Sequence, residues 1–253
     1  MKHLTKKVIL AAAMGSAAAA GGAAPAKPTV VLVHGAFVDG SVWNKVIPQL
    51  EAKGLKVVAV QNPLTSLADD VAATKRVLDM QAGPVVLVGN SWGGVVITEA
   101  GRHERVKSLV YIAAFAPAEG QSIVSASKGY PTPSGFSHLV ADKEGFLTLT
   151  LEGVQKHLGQ FVPAAEAKLM AATQVPIRGL NFEEKVGVPA WKSKPSWYFV
   201  SEQDNMLAPA LQKDMAKNIS AQVVSLPADH SPHVSRAGDV AKLILAAAAA
   251  TSE

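Results

Sequence analysis

The sequence contains no cysteine in its 253 residues, which excludes disulfide bonds and lipid attachment through an N-terminal cysteine. A chain without disulfides depends on its buried core for stability. This length suits one α/β domain, or one such domain with a modest insertion. The sequence also lacks basic runs and any interleaving of basic with aromatic residues, so nucleic acid is not an expected partner.

The formal net charge of +4 comes mostly from the first residues of the chain. Lys2, Lys6 and Lys7 form a positive cluster, and without them the basic and acidic residues nearly balance. An apolar, alanine-rich run at 8–20 follows this cluster. A positive segment before a short apolar run is typical of a secretory signal peptide, which we assign to residues 1–26.

The end of this leader offers two cleavage sites, Ala24-Pro25-Ala26 before Lys27 and, as an alternative, Ala18-Ala19-Ala20. The competing interpretation is an uncleaved membrane anchor. Glycine and serine interrupt the apolar run, which is also short for a transmembrane helix. We therefore expect a secreted protein, most simply one of a bacterial periplasm, without stable membrane anchoring.

Apolar strand-like runs alternate with amphipathic helix-like runs along much of the remaining chain. This alternation is typical of an α/β fold in which helices flank a mostly parallel sheet. The predicted strands span 29–34, 56–60, 84–88, 106–114, 196–201 and 222–226. The predicted helices span 41–53, with Ser41 as its N-cap, and 66–80, 95–101, 208–218 and 234–249.

The alternation breaks between residues 117 and 194, where glycines, prolines and loop residues surround two short helical patterns at 146–158 and 163–174. A connection this long needs structure of its own. We therefore predict a core formed by 27–116 and 195–253, and an inserted lid at 117–194. The apolar residues of the lid would either face a pocket or only pack the lid against the sheet. They are Phe136, Leu139, Phe146, Leu147, Leu149, Leu158, Phe161, Leu169 and Met170.

A Gly-x-Ser-x-Gly motif, Gly89-Asn90-Ser91-Trp92-Gly93, lies between a predicted strand and a predicted helix. A serine nucleophile needs a turn that is sharp enough to hold its hydroxyl clear of the backbone, and small neighbours permit that turn. The alternative is a serine that only caps the following helix, which leaves the clustered glycines unexplained. Ser91 is therefore the candidate nucleophile.

A serine hydroxyl is a weak nucleophile at neutral pH and needs a base within hydrogen-bond reach. His230 follows the last predicted strand, at the carboxyl edge of the sheet, where it could meet Ser91. His233, three residues further along, is the second candidate base. A metal site at this His-x-x-His pair is disfavoured, because no carboxylate or third histidine has ligand spacing beside it.

The base needs a carboxylate that fixes its tautomer and stabilises the imidazolium. Asp204 directly follows a predicted strand, again at the carboxyl edge of the sheet. Asp229 adjoins His230 in sequence and is poorly placed to contact the same ring, and Asp214 falls inside a predicted helix. Asp204 is therefore the candidate acid. The alternative is a surface aspartate that caps the next helix.

The tetrahedral intermediate of an acyl transfer needs backbone N–H donors for its negatively charged oxygen. One donor is expected from Trp92, directly after Ser91. The other is expected from the turn after the first strand, where Ala36 is the first candidate and Phe37 the second. His34 is expected to brace this turn rather than to react.

Together these residues resemble the α/β-hydrolase superfamily, and more closely its bacterial esterase-like members related to plant methylesterases and hydroxynitrile lyases. The resemblance is carried by Val31-Leu32-Val33-His34-Gly35-Ala36-Phe37, by the motif around Ser91, and by the positions of Asp204 and His230. It covers nearly all of the chain after the leader. Asn90 departs from the family pattern, which commonly has histidine before the nucleophile.

This resemblance implies a serine hydrolase that cleaves carboxylic esters through an acyl-enzyme with no cofactor, and no metal is expected. The apolar residues of the lid favour small, uncharged or aromatic esters over charged ones. The first alternative is a lyase that cleaves cyanohydrins, since such enzymes use a similar triad, usually with a lysine that the lid supplies. Lys143, Lys156 and Lys168 all lie in the predicted lid. The second alternative is a non-catalytic binding protein on the same scaffold.

Overall fold

A computed structural model describes residues 27–251 of the chain. The predicted signal peptide at 1–26, with both of its possible cleavage sites, lies outside the described residues. Among the residues that are described, no helix combines the length and the apolar character needed to cross a bilayer.

Nine strands occur in this part of the chain, and six of them form the central sheet. The strands are β1 (Thr29–Val33), β2 (Lys56–Val60), β3 (Val85–Asn90), β4 (Val106–Ile112), β5 (Leu139–Ala141), β6 (Phe146–Leu149), β7 (Ile177–Arg178), β8 (Ser196–Ser201) and β9 (Gln222–Leu226). The central sheet has the order β2-β1-β3-β4-β8-β9, with parallel pairing throughout. Its inner strands are buried runs of mainly apolar residues, as expected for a parallel sheet covered on both faces.

The helices flank this sheet, and the predicted α/β fold is confirmed. The local sequence sets the starts of two of these helices, α2 and α3. Ser66 caps α2, since its side chain accepts the N–H of Asp69 at 3.0 Å, and α3 begins at the glycine-rich turn after β3. The helices are α1 (Ile47–Glu51), α2 (Leu67–Asp79), α3 (Trp92–Ala100), α4 (Ile123–Ala126), α5 (Leu151–Gly153), α6 (Ala164–Thr173), α7 (Pro209–Asn218), α8 (Pro232–Ser235) and α9 (Ala237–Thr251).

The strand order changes direction at β1, which lies between β2 and β3. Ligands of open parallel sheets bind outside the carboxyl ends of the strands at such a switch point. The turns after β1 and β3 leave the sheet there, and the latter carries Ser91. The loops after β8 and β9, which carry Asp204 and His230, leave from the same edge. The topology therefore brings the predicted site residues to one rim of the sheet.

The helix predicted at 41–53 is wrong in its extent. This segment forms a 3₁₀ turn at Gly40–Trp43 and then the separate helix α1. The N-cap is Asp39, whose side chain accepts the N–H of Ser41 at 2.8 Å, and not Ser41 itself. Pro48 lies in the first turn of α1, where its missing N–H costs no hydrogen bond, so it favours a new helix start at this point.

The segment 117–194 contains short helices and a small antiparallel sheet of β5, β6 and β7. The helix predicted at 163–174 is present as α6. The helix predicted at 146–158 is wrong in its first half, where β6 pairs with β5, and α5 and a π-helical turn at Val154–Leu158 follow. A short apolar run fits a strand as well as a helix, and only pairing with a neighbour decides between them. The lid role of this segment stays a prediction.

Candidate active site

The turn after β3 holds Ser91 in a strained conformation, with φ 52° and ψ −120°. A positive φ is uncommon for any residue but glycine, and such strain is concentrated at functional sites. The Ser91 side chain makes no capping hydrogen bond to α3, so this serine is not a simple helix cap. Only 8% of its surface is exposed.

Glycines let the turns after β1 and β3 approach each other closely. A Cβ atom on Gly35 would lie 2.8 Å from the Cβ of Ser91, and one on Gly93 would lie 2.5 Å from the carbonyl oxygen of Val33. Both distances are shorter than van der Waals contact, so a side chain at either position would push the two turns apart. The glycines therefore allow the segment that follows β1 to lie directly against Ser91.

The candidate base His230 and the candidate acid Asp204 are in hydrogen-bond contact. The Nδ1 of His230 lies 2.7 Å from the Oδ2 of Asp204, and both side chains are almost fully buried. Because the carboxylate can only accept, Nδ1 carries the proton and the Nε2 of His230 is left with its lone pair. This tautomer is the one that a general base needs.

Asp204 is held in place by three further donors. The backbone N–H groups of Met206 and Leu207 donate to its Oδ1 at 2.7 and 2.8 Å, and the side-chain amide of Gln212 donates to its Oδ2 at 2.7 Å. The N-cap of α7 is Ala208, so Asp204 does not serve as a surface cap for that helix. These bonds fix the direction in which the carboxylate faces His230.

Ser91 and His230 line the same cavity. Within residues 27–251, neither the Ser91 hydroxyl nor the Nε2 of His230 makes a hydrogen bond, so no such bond joins the two. Catalytic hydrogen bonds commonly tighten only when substrate binds. Asn90, directly before Ser91, connects the end of β3 to the end of β4 and to the loop that carries His230. Its side-chain amide donates to the carbonyl oxygens of Ile112 at 2.9 Å and of His230 at 3.4 Å.

Three backbone N–H groups at the cavity beside Ser91 have no acceptor within the part of the chain that is described. They belong to Ala36, Phe37 and Trp92, and all three residues line the cavity. Phe37 has a φ of 63°, which marks the tight turn after β1. The roles of these groups as oxyanion donors stay predictions.

His34 braces the turn after β1. Its Nδ1 donates to the carbonyl oxygen of Gly35 at 2.8 Å, and its Nε2 accepts the N–H of Asn62 at 2.9 Å. Burial lowers the pKa of His34, which keeps the ring neutral. Both nitrogens are therefore engaged in fixing the backbone around the candidate oxyanion segment.

The structure separates the two histidines that sequence reasoning considered as bases. His233 lies in α8, does not line the cavity, and contacts the ring of Trp43. Burial lowers the pKa of His233 to about 3, with smaller effects from the charges of His230 and His34. The described residues include no group of three or more His, Cys, Asp or Glu side chains that could hold a metal ion.

Asp229, the neighbour of His230, turns away from the imidazole and stabilises local structure. Its Oδ1 accepts from the N–H of Ser231 at 3.1 Å and the hydroxyl of Ser235 at 2.7 Å, and its Oδ2 accepts from the N–H of Phe161 at 2.9 Å. Burial raises the pKa of Asp229. Its contacts are those of a structural carboxylate.

Four side chains of the cavity were not expected from the sequence: Phe115, Ile123, Phe182 and Met206. Phe115 and Met206 follow β4 and β8 at the carboxyl edge of the sheet, so the topology could have indicated them. Ile123 and Phe182 come from segment 117–194, where no sequence pattern marks them. Their identification needs the tertiary structure.

Of the apolar residues predicted for the underside of the lid, one lines this cavity, Phe136. Leu149, Leu158 and Met170 are buried in the hydrophobic core, whereas Leu169 is exposed. Most of this apolar surface therefore packs the segment against the rest of the protein.

A second cavity adjoins the first, and Phe115, Phe136 and Met206 line both. The cavity beside Ser91 has a volume of about 30 Å³, and its neighbour about 90 Å³. The second cavity is lined mainly by apolar side chains, including Ala208 and Leu211. The two cavities together offer apolar space next to the candidate nucleophile.

The three lysines that a lyase could use lie elsewhere. Lys143, Lys156 and Lys168 are exposed and line neither cavity. Lys156 forms an ion pair with Glu152 at 2.7 Å. No side chain of the described cavity beside Ser91 carries the cationic group that the lyase alternative needs.

Known proteins resemble this chain over most of its length. Residues 30–243 match the family model described as alpha/beta hydrolase family. A pyrethroid hydrolase of Sphingobium wenxiniae is 27% identical over 261 residues, which cover 88% of this chain and 89% of that protein. Methylesterase 2 of Arabidopsis thaliana is 27% identical over 241 residues, which cover 81% of this chain and 90% of that protein. The crystal structure of a pyrethroid hydrolase from Sphingobium faniae has a TM-score of 0.75 and 24% identity, and the match covers 88% of this chain and 98% of that one.

Proposed function

Because the chain belongs to the alpha/beta hydrolase family and is a carboxylesterase-like hydrolase, we propose that it cleaves small, uncharged carboxylic esters with Ser91 as its nucleophile. The observation that carries this proposal is the 2.7 Å contact between His230 and Asp204. It leaves the Nε2 of His230 free beside a cavity that Ser91 also lines.

In the first half of the reaction, the Nε2 of His230 takes the proton of the Ser91 hydroxyl as its oxygen attacks the ester carbonyl carbon. Asp204 stabilises the imidazolium that forms. The carbonyl oxygen becomes negatively charged, and the N–H groups of Ala36 and Trp92 donate to it, with Phe37 as the second choice in the turn after β1. Each such donor typically lowers the barrier by about 3 kcal/mol.

The intermediate then loses its alcohol. The carbon–oxygen bond to the alcohol breaks, and the proton on His230 passes to the leaving oxygen. This leaves an acyl group on Ser91. In the second half, His230 takes a proton from water, the resulting hydroxide attacks the acyl carbon, and the proton returns to the Ser91 oxygen as the acid is released.

The substrate class follows from the walls of the two cavities. Apart from His230, the residues around Ser91 carry no ionisable side chain, and the aromatic rings of Phe115, Phe136 and Phe182 form much of the surface. A charged substrate would lose its hydration there without gaining an ion pair. The volume of about 30 Å³ beside Ser91 favours a small group at that position, with the remaining apolar group in the neighbouring cavity.

We also propose that segment 117–194 acts as a lid. This proposal is supported by Ile123, Phe136 and Phe182, which the segment supplies to the lining of the cavity. A lid that excludes water would strengthen the electrostatic interactions of the oxyanion donors. The lyase alternative has no lysine in the described cavity to support it, and a non-catalytic scaffold does not explain the buried His230–Asp204 pair.

The proposal is tested with a panel of p-nitrophenyl esters of graded acyl length, assayed on the wild type and on Ser91→Ala. We expect turnover by the wild type, none by Ser91→Ala, and covalent labelling of Ser91 by a fluorophosphonate. Ser225→Ala, at an exposed serine of β9 that lines neither cavity, is the matched control and should keep its activity. A folded wild type that neither hydrolyses these esters nor takes up the probe would refute the proposal.

A further inference from the structure

Asp70 is a fully buried carboxylate that the proposed mechanism does not use. It lies in α2, and none of its surface is exposed. In the described part of the chain, no lysine, arginine or histidine forms an ion pair with it. A buried carboxylate without a cationic partner is costly, so the bonds that compensate for it must be well formed.

Two neutral N–H groups supply those bonds, one to each oxygen. The indole Nε1 of Trp92 donates to Oδ2 at 2.7 Å, and the backbone N–H of Leu64 donates to Oδ1 at 2.8 Å. Bonds to an ionised acceptor are shorter and stronger than neutral ones. The carboxylate of Asp70 therefore fixes both the Trp92 ring and the turn at Leu64.

The first partner of Asp70 adjoins the candidate nucleophile. Trp92 is the first residue of α3, directly after Ser91, and its own N–H is one of the two candidate oxyanion donors. Trp92 is 1% exposed, so the orientation of its indole is fixed by the surrounding packing and by the hydrogen bond to Asp70. A tilt of the indole would change the wall of the cavity and the turn that carries Ser91.

The second partner of Asp70 holds the segment that carries Phe182. Leu64 has a φ of 58°, which is strained for a branched side chain, and its carbonyl oxygen accepts from the N–H of Arg178 and the amide of Asn181, both at 3.0 Å. The next residue, Phe182, lies edge-on to Trp92 with ring centroids 6.2 Å apart. One carboxylate thus connects to both aromatic residues of this edge-on pair, and both of them line the cavity.

We propose that Asp70 is a positioning residue of the ester hydrolysis. By holding the Trp92 indole and the Leu64 turn, it sets the position of the backbone N–H after Ser91 and of the wall formed by Trp92 and Phe182. This inference rests on the proposed function. It assigns Asp70 no contact with the substrate.

The arrangement depends on the ionised form of Asp70, because a protonated carboxyl would turn an O–H towards an N–H donor. Burial raises the pKa of Asp70 to about 6, against the lowering effect of the bonds from Trp92 and Leu64. The charged groups that act on it are Asp69 on its own helix and Glu184 after Phe182, and both raise the pKa further. Proton uptake in mildly acidic solution should therefore loosen the site.

The test compares Asp70→Asn and Trp92→Phe, singly and together, in the otherwise unchanged protein. Asparagine offers one acceptor instead of two, and phenylalanine keeps an aromatic ring and the backbone N–H but loses the indole donor. Asp79→Asn is the matched control, since Asp79 is an exposed carboxylate of the same helix α2 that bonds His103. The value of kcat is expressed per Ser91 that a fluorophosphonate labels, so loss of folded protein does not affect it.

We expect each single variant to lower kcat about tenfold with a smaller change in KM, because small misplacement of donors is costly. The double variant should be no slower than the slower single variant, because both substitutions break the same hydrogen bond between Trp92 and Asp70. Because protonated Asp70 is neutral like the asparagine, the acid limb of log(kcat/KM) against pH should contain an additional drop of about tenfold near pH 6 in the wild type, which Asp70→Asn should lack. Asp79→Asn should behave as the wild type.

If Asp70 is merely structural, Asp70→Asn will lower the melting temperature and leave kcat per labelled site and the shape of the acid limb unchanged, which would overturn the inference. Additive effects in the double variant would overturn it as well. If Asp70→Asn does not fold, Trp92→Phe and its acid limb decide by the same criteria. A wild type without esterase activity would refute the proposed function itself, whereas an active wild type with an equally active Asp70→Asn would overturn the role of Asp70 alone.

Discussion

The ring of His233 lies 4.6 Å from the ring of Trp43, tilted by 39°, and neither of its nitrogens has a hydrogen-bond partner within residues 27–251. A histidine without partners in a buried site behaves as an aromatic side chain. This contact distinguishes His233 from His230, three residues earlier, whose ring is oriented by Asp204. The sequence spacing alone could not make that distinction.

The first prediction concerns the identity of the base. His230→Ala should abolish turnover almost as completely as Ser91→Ala, because no other described residue of the cavity can take the serine proton. His233→Phe keeps an aromatic ring beside Trp43 and should retain kcat within about threefold. Steady-state kinetics on p-nitrophenyl acetate measure both. An inactive His233→Phe together with an active His230→Ala would mean that His233, and not His230, is the base.

The second prediction concerns stability in acid. The pKa of His233 is lowered from its ordinary 6.5 to about 3, so the unfolded chain binds a proton between these values and the folded protein does not. The contribution of neutral His233 is therefore fully present above pH 6.5 and is lost as the pH falls towards 3. His233→Phe should lose less stability than the wild type between pH 7 and pH 4.5.

Urea unfolding at these two pH values measures the change in unfolding free energy. The change in His233→Phe must be compared with that in the wild type, because Asp70 also makes the unfolding free energy depend on pH. The pKa of Asp70 is raised from 3.8 to about 6, so its contribution is present below 3.8 and is lost as the pH rises through 6. The two groups act in opposite directions over overlapping ranges. An equal loss of unfolding free energy in wild type and His233→Phe would contradict the prediction.

The third prediction concerns Asp204, the proposed acid. Asp204→Asn should lower kcat by about a thousandfold or more, because an amide can present a donor to His230 and favour the wrong tautomer. Asp229→Asn is the control from the residue next to His230. It should lower the melting temperature, since it weakens the bonds to Ser231, Ser235 and Phe161, and leave kcat nearly unchanged. A larger kcat loss in Asp229→Asn would exchange the two roles.

Much of the fold could be predicted because the strands of a buried parallel sheet are short apolar runs. β1 and β3 are of this kind, and the glycines around Ser91 mark the turn that follows β3. The segment at 41–53 could not be predicted correctly, because its apolar pattern is that of one helix. In the structure Asp39 caps a separate 3₁₀ turn, and Pro48 lies in the first turn of a new helix. At β6, the choice between strand and helix depends on pairing with β5, which is information from outside the segment.

The site was predictable to the extent that it follows strand ends. Asp204 and His230 were candidates because they follow β8 and β9, and the structure brings their side chains together at one rim of the sheet. Phe182 was not found, because its place across from Trp92 depends on the path of segment 117–194. Asp70 did leave a signal, since it lies three residues after Leu67 and so on the inward face of α2, where a carboxylate is unusual.

The last prediction concerns substrate length and the cavity next to the one beside Ser91. Ala208 lines that second cavity, and Ala208→Leu should fill part of it without touching Ser91 or His230. We expect kcat/KM for p-nitrophenyl octanoate to fall about tenfold, the usual effect of a methylene-scale misfit in an apolar pocket, while the value for the acetate ester is unchanged. Ala210→Leu, on the exposed side of the same helix α7, is the matched control and should change neither value. If Ala208→Leu affects acetate and octanoate equally, the longer chain does not enter the second cavity, because only an occupant of that space should sense the added side chain.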